Sequence, residues 1–534
     1  MASISSILEF VSGACSGTAH AADIVGEQSV ALGMGRYVGI LDIDKDSGMG
    51  SVQETLRGHS ERVNCVRASA DHSLFVSGAA DGTARIWERS EETGGEPGKP
   101  GAWRCTGVLG AAGAASVVAV AAAVVQPGQA VVVTSSTDGV VRVWQHVRDQ
   151  GAAGDQIEPV QELAAGKRGS ALAVALAEVA GGQLLLATGG TDGVVRVYSG
   201  QQQQHGSGAV SFGAPVCLAG HEDWVTDVDF RLVARDGDGQ EEEEARGATA
   251  HWRAGDVALA SASQDRHVRV WLVSRAADQA SAQDLLDACT QALARNQPLS
   301  TAAQVLAGPP PRRSVALDAV LAAHDGWVHS ARWRADGGGT GGGHGLVTAS
   351  ADGSAMLWEA ADAWQPVARL GGGQALLGCV ARGPWLLAHG LHGTLHLWRQ
   401  PGQPGQPGQQ PGQGAWEPRA ASSGHAAGVR DVCWHASGLA VLSVAADQTA
   451  RVFARTQHSG WREVARPQVH GYDMRAAAFV GPTAYVSAGE EKVARVFGAT
   501  RQFGSAWAAL VGQQLEGCER LVAGASQPVL GLSN

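Results

Sequence analysis

Apolar and polar residues alternate in short runs along most of this chain, and the runs come in pairs around a small polar step. The clearest examples are VSGAADGTARIW (Val76 to Trp87), VTSSTDGVVRVW (Val133 to Trp144), ATGGTDGVVRVY (Ala187 to Tyr198), ASASQDRHVRVW (Ala260 to Trp271) and VTASADGSAMLW (Val347 to Trp358). A period of two predicts strands, and Asp-Gly between two such runs predicts a hairpin, because glycine reaches positive φ without strain. Four of the five carry Asp-Gly, at Asp81-Gly82, Asp138-Gly139, Asp192-Gly193 and Asp352-Gly353. In every copy the Asp lies six residues before the aromatic residue, and a Ser or Thr lies four before the Asp.

Gly58-His59, Gly220-His221 and Gly424-His425 stand upstream of such phrases, with Ala323-His324 as a variant. This combination is the WD-repeat pattern, and its recurrence predicts an all-β chain folded as a β-propeller. In WD repeats the His, the strand Ser/Thr, the turn Asp and the strand Trp form one hydrogen-bonded chain. Complete sets here are His59, Ser77, Asp81, Trp87; His221, Ser261, Asp265, Trp271; and His324, Thr348, Asp352, Trp358. Ser, His and Asp together also resemble a hydrolase triad. A trio that returns blade after blade is architecture rather than one active site.

Two degenerate phrases, VALGMGRYVGIL ending at Leu41 and LLAHGLHGTLHLW ending at Trp398, complete a count of seven. One seven-bladed ring is therefore expected over residues 1–400. A Pro/Gly/Gln-rich linker follows over 401–418, a composition that buries no core. LSVAADQTARVF and VSAGEEKVARVF then predict the first blades of an incomplete second ring over 419–534, so the chain reads as C-terminally truncated. Ser281 to Gln297, with Leu285, Leu286, Cys289 and Leu293 on one helical face, predicts a short inserted helix. Arg235 to Asp256, carrying Glu241 to Glu244, reads as a solvated acidic loop.

Composition narrows the function. At 534 residues the chain exceeds one ordinary domain, and 44% hydrophobic residues with 73 Gly suit a large β core with many turns. A net charge of −11 disfavours a general nucleic-acid footprint. The eight Cys lack C-x-x-C or zinc spacing, which fits reduced thiols in cytosol or nucleus. Gly166-Lys167-Arg168 lacks the glycine and the hydroxyl residue of a phosphate loop. His389, His392 and His396 look superficially like a metal triad, but no carboxylate stands by to orient them. No catalytic residue, metal or cofactor is assigned.

The candidate partner surface is the rim at the narrow end of the ring. In WD propellers the residues three and five after the repeat His face it, here Arg62 and Asn64, Trp224 and Thr226, Trp327 and His329. Two adjacent blades thus place Trp on one rim, and Trp is a favoured interface anchor.

Several phrases are more specific than the repeat. GHSERVNCVRASADHSLFVSGAADGTARIW, HGLHGTLHLW (His389 to Trp398), ARPQVHGYDMRAAAF with EEKVARVF, and the terminal LGLSN resemble the second-subunit family of the Elongator complex. The resemblance runs from about Val11 to Asn534. It implies two propellers and a non-catalytic scaffold bridging the first subunit and the catalytic third subunit, in modification of the tRNA wobble uridine. The scattered cysteines, the acidic balance and the absence of a long apolar run lead to the expectation of a cytoplasmic and also nuclear protein, with no membrane contact and no strong nucleic-acid binding of its own. The alternatives are a WD substrate receptor for a ubiquitin ligase, another interaction scaffold including one for transcription elongation, and an enzymatic propeller with polar residues converging on its channel.

Overall fold

The computed structural model describes residues 15–44, 50–89, 102–110, 114–148, 156–164, 169–179, 182–202, 210–233, 248–249, 251–275, 303–307, 311–334, 344–360, 362–391, 393–400, 415–419, 421, 424–425, 427–457, 460–469, 471–517 and 521–523. The expected helix at Ser281 to Gln297, the acidic run Glu241 to Glu244, Gly166-Lys167-Arg168, His392 and residues 401–414 lie outside them. The chain divides into two compact units, Cys15–Ala420 and one built on Ala421–Asn534.

The repeat phrase folds as its alternation dictates. Leu74–Ala79 and Ala84–Arg89 pair antiparallel, with Ser77 opposite Arg85, while Val63–Ala68 and Trp103–Leu109 flank them. Gly82 in the turn has φ 80°, and Gly139, Gly193 and Gly353 repeat that conformation. Arg266 takes the same place with φ 73°. Alternate residues of each phrase point into the seam with the neighbouring sheet. Trp271 is buried there among Val225, Val228, Leu259 and Val315. Phe75 meets Trp103 edge-on at 4.8 Å. Burying an aromatic side chain of this size is a large apolar contribution, and it recurs sheet after sheet.

The larger unit is a WD β-propeller. Its described strands form seven antiparallel sheets of four or five strands. The first strands are Ala22–Ile24, Val63–Ala68, Val117–Gln126, Ala171–Val179, Val225–Leu232, Val328–Trp333 and Leu376–Arg382. Each packs on the next, and the last packs on the first. Cys15 N donates to Gly393 O at 3.2 Å, and Arg382 Nη1 donates to Gly26 O at 3.0 Å, so the first and seventh sheets are also hydrogen-bonded.

The seventh sheet takes its outermost strand from Glu417–Arg419, which pairs with Leu397–Arg399. Those three residues extend the larger unit beyond the expected limit at 400, because a four-stranded sheet needs an edge partner for Trp398 and its neighbours. The smaller unit holds a four-stranded sheet from Val429–Trp434 to Gly460–Val469 and a three-stranded sheet from Met474–Gly481 to Ala494–Gly498. Helix α1, Arg501–Val511, follows; Thr500 caps its N-terminus, and Gly512 at φ 76° ends it.

Candidate functional site

In the second sheet the expected hydrogen-bonded chain is in place. Trp87 Nε1 donates to Ser77 Oγ at 2.8 Å, Ser77 Oγ donates to His59 Nε2 at 2.8 Å, and His59 Nδ1 donates to Asp81 at 3.2 Å. The fifth sheet repeats it through Trp271, Ser261, His221 and Asp265, and the sixth through Trp358, Thr348, His324 and Asp352. His425, Ser443 and Asp447 form a fourth set in the smaller unit, ending at Phe453, which has no indole N–H to give. Gly424-His425 was the available signal for that set.

Burial lowers the pKa of His59, His221 and His324, and the neighbouring carboxylate only partly restores it. Burial works against ionised Asp265 and Asp352 as well. Hydrogen bonds from the His, the turn and the next backbone N–H outweigh it and hold both carboxyls well below the usual range. The sets of His59, His221 and His324 therefore pair a neutral imidazole with an ionised carboxylate. In these three the hydroxyl is committed to the indole and the imidazole.

The same geometry sorts the rim candidates. The backbone N–H just before each turn Asp donates to the carbonyl three residues after the His. Ala80 thus meets Arg62 at 2.8 Å, Gln264 meets Trp224 at 3.0 Å and Ala351 meets Trp327 at 2.8 Å. With their carbonyls held inward, these three side chains project out. Trp224 is 46% exposed and Trp327 52%.

Two residues further on, the register shifts in every one of these first strands, leaving Asn64, Thr226 and His329 as unpaired bulge residues. Asn64 and Thr226 therefore turn inward, unlike the exposed rim expected of them. Asn64 is buried and donates to Val117 O at 2.8 Å, and Thr226 is buried and donates to Val328 O at 2.6 Å. His329 is half-buried, with its ring edge-on to Trp327 at 6.4 Å.

The axis holds a cluster that sequence reasoning missed. Asp227 is fully buried. Arg67 Nη2 lies 3.2 Å away, Arg332 Nε 3.0 Å, Ser330 Oγ 2.9 Å and Ala331 N 3.1 Å. His20 Nε2 donates to Leu172 O at 3.1 Å beside it. Burial pushes Asp227 up to about 7 and Asp229 up to about 6, against the pull of Arg67. A cavity of about 160 Å³ beside this cluster touches all seven first strands, and Ala121, Leu176 and Val380 line it together with Arg67, Asp229 and Arg332.

His389 and His396 have separate surroundings. His389 is buried, packs against Gly378, and has no hydrogen-bond partner among the described residues; burial lowers it to about 4. His396 stacks on Trp398 instead, at 5.8 Å. Among the described residues no group of three His, Cys, Asp or Glu side chains is placed to hold a metal ion.

Comparison with known proteins agrees with this architecture. The family described as WD domain, G-beta repeat matches residues 50–88, 103–145, 215–271, 317–359 and 416–453. Elongator complex protein 2 of Danio rerio is 31% identical over 517 residues, covering 90% of this chain. The chain is a WD-repeat homologue of Elongator complex protein 2. The Drosophila melanogaster protein is 28% identical over 98% of this chain, and the Saccharomyces cerevisiae protein 27% identical over 95%. The chain spans 55% of the length of the Danio rerio relative and 62% of the Drosophila melanogaster one.

Proposed function

We propose that this chain is a non-catalytic scaffold subunit of the Elongator complex, bridging the first subunit and the catalytic third subunit in modification of the tRNA wobble uridine. One observation carries the reading: similarity to Elongator complex protein 2 of fish, fly and yeast runs along nine-tenths or more of the chain. The site's chemistry supports it. The Ser-His-Asp sets are committed to the sheets that carry them, and the axial charges satisfy one another. What the propeller offers a partner is a rim with two pinned, projecting tryptophans. The net charge of −11 favours protein partners over tRNA as its direct contacts. On this reading the protein works in the cytoplasm, with the nucleus as a second site, and needs no cofactor of its own.

The test is reconstitution. The first and third subunits are combined with and without this chain, and wobble-uridine modification of a tRNA substrate is measured. The reading predicts that the chain raises activity of the mixture and has none alone. Modification by the chain alone would overturn the scaffold role. Stable capture of a ubiquitin ligase instead of the two subunits would favour the substrate-receptor alternative.

A further inference from the structure

We propose that the rim sector formed by the fifth and sixth sheets is a docking site for an extended protein segment bearing Lys or Arg. The proposal deepens the scaffold reading and rests on it for the identity of the partner, but not for the chemistry of the site. Three features of this sector converge.

The first is pre-organisation. The carbonyls of Trp224 and Trp327 are tied to the turns that hold Asp265 and Asp352, so both backbones are fixed while both rings stand out in solvent. The two first strands are also bonded to each other, through Thr226 Oγ1 and Val328 O, next to the tryptophans. His329 supports the Trp327 ring from its edge. Rigid aromatic rings lose little entropy on binding, and their faces attract cations.

The second is charge. Glu222 and Asp223 immediately precede Trp224 and are exposed, and neither forms an ion pair among the described residues. Asp325 is exposed two residues before Trp327 and carries one ion pair, to Arg369 at 3.1 Å. Asp265 and Asp352 lie beneath the rim as ionised carboxylates against the histidines that burial disfavours as cations. Among the described residues of these turns and their flanks, five carboxylates stand with three guanidiniums: those of Arg266, of Arg269, which donates to Gly220 O, and of Arg369, which pairs with Asp325 and Asp352. The sector is net anionic where its aromatic rings are exposed, which suits a cation and disfavours an acidic or nucleic-acid ligand.

The third is contrast around the ring. Arg62 holds the equivalent position on the second sheet and donates to Asn64 Oδ1 at 3.1 Å. Among the described residues of the larger unit the exposed tryptophans are Trp224 and Trp327, on adjacent sheets, which fits a linear segment crossing two sheets rather than a ligand encircling the rim.

The experiment uses the full chain against tiled peptides covering the first and third Elongator subunits, with the intact subunits in parallel. Peptides rich in Lys or Arg are expected to be captured. Trp224→Ala/Trp327→Ala should weaken their binding by about tenfold or more, as loss of central aromatic anchors does. Glu222→Lys/Asp223→Lys should weaken it comparably and flatten its salt dependence. Both variants should keep the wild-type melting transition, since all four side chains are exposed. If the intact subunits bind equally to wild type and to both variants, the scaffold reading stands and this docking site does not. If basic peptides bind through these residues but neither intact subunit is captured, the site stands and the scaffold reading fails. Preference for acidic or purely apolar peptides would overturn the proposal.

Discussion

Arg67 Nη2 lies 3.2 Å from Asp227 Oδ1, although the two residues belong to different sheets and are 160 positions apart in the chain. Arg332 closes on the other carboxylate oxygen from the sixth sheet, so one buried carboxylate ties three first strands together at the axis. Removing one partner strands a charge where water cannot reach it. Arg67→Met is expected to cost roughly 3–5 kcal/mol in chemical denaturation. A double-mutant cycle with Asp227→Asn should be strongly non-additive. Additive effects would show that the axial pair does not couple the sheets.

The repeat networks are smaller but numerous. Asp265 accepts from His221 Nδ1 at 2.8 Å and from His267 N at 2.9 Å. Asp265→Ala is expected to cost roughly 1–3 kcal/mol, because the imidazole and its turn are left partly unsatisfied. An unchanged melting temperature would count against the network.

His389 provides the pH test. Burial lowers its pKa to about 4 from an ordinary value near 6.5. Its contribution to stability is therefore fully present above about pH 6.5 and is lost as pH falls from there towards 4, since the unfolded chain takes up the proton first. The slope is about 1 kcal/mol per pH unit over that window. Asp227 and Asp229, raised by burial, act in the opposite direction over the same range, so the clean readout is a difference. His389→Leu should gain stability relative to wild type as the pH is lowered from 7 to 4.5, because only the wild type carries the buried imidazole. A constant difference would mean that His389 titrates normally.

Gly378 faces that imidazole. A β-carbon there would clash with His389 Nε2 and stand 2.6 Å from Ala19 O. Gly378→Ala is expected to destabilise by about 1–3 kcal/mol through overpacking. Truncating His389 should relieve only part of this, because the Ala19 carbonyl belongs to the backbone. A neutral Gly378→Ala would show that the seam between the first and seventh sheets is looser than its packing implies.

Local signals carried the sequence reading furthest. Asp-Gly turns, strand alternation and the His-to-Asp spacing are features of a single sheet, and they place Ser77, Asp81 and Trp87 within a few residues of each other before any folding. Spacing from the repeat His also marked the positions of Trp224 and Trp327. It did not separate them from Asn64 and Thr226, because a register shift inside the first strand decides which side chains turn into the seam. The axial cluster left no trace in the sequence. Arg67, Asp227 and Arg332 each look like an ordinary polar residue in an alternating strand, and only closure of the ring brings them together.

The most direct test of the scaffold account is co-purification. The full chain, tagged and expressed in cells, is recovered under native conditions, and its stoichiometric partners are identified by mass spectrometry. The account predicts the first and third Elongator subunits as the dominant partners, reduced together when Trp224 and Trp327 are both replaced by Ala. Recovery of the folded chain with stoichiometric partners that include neither subunit would contradict it.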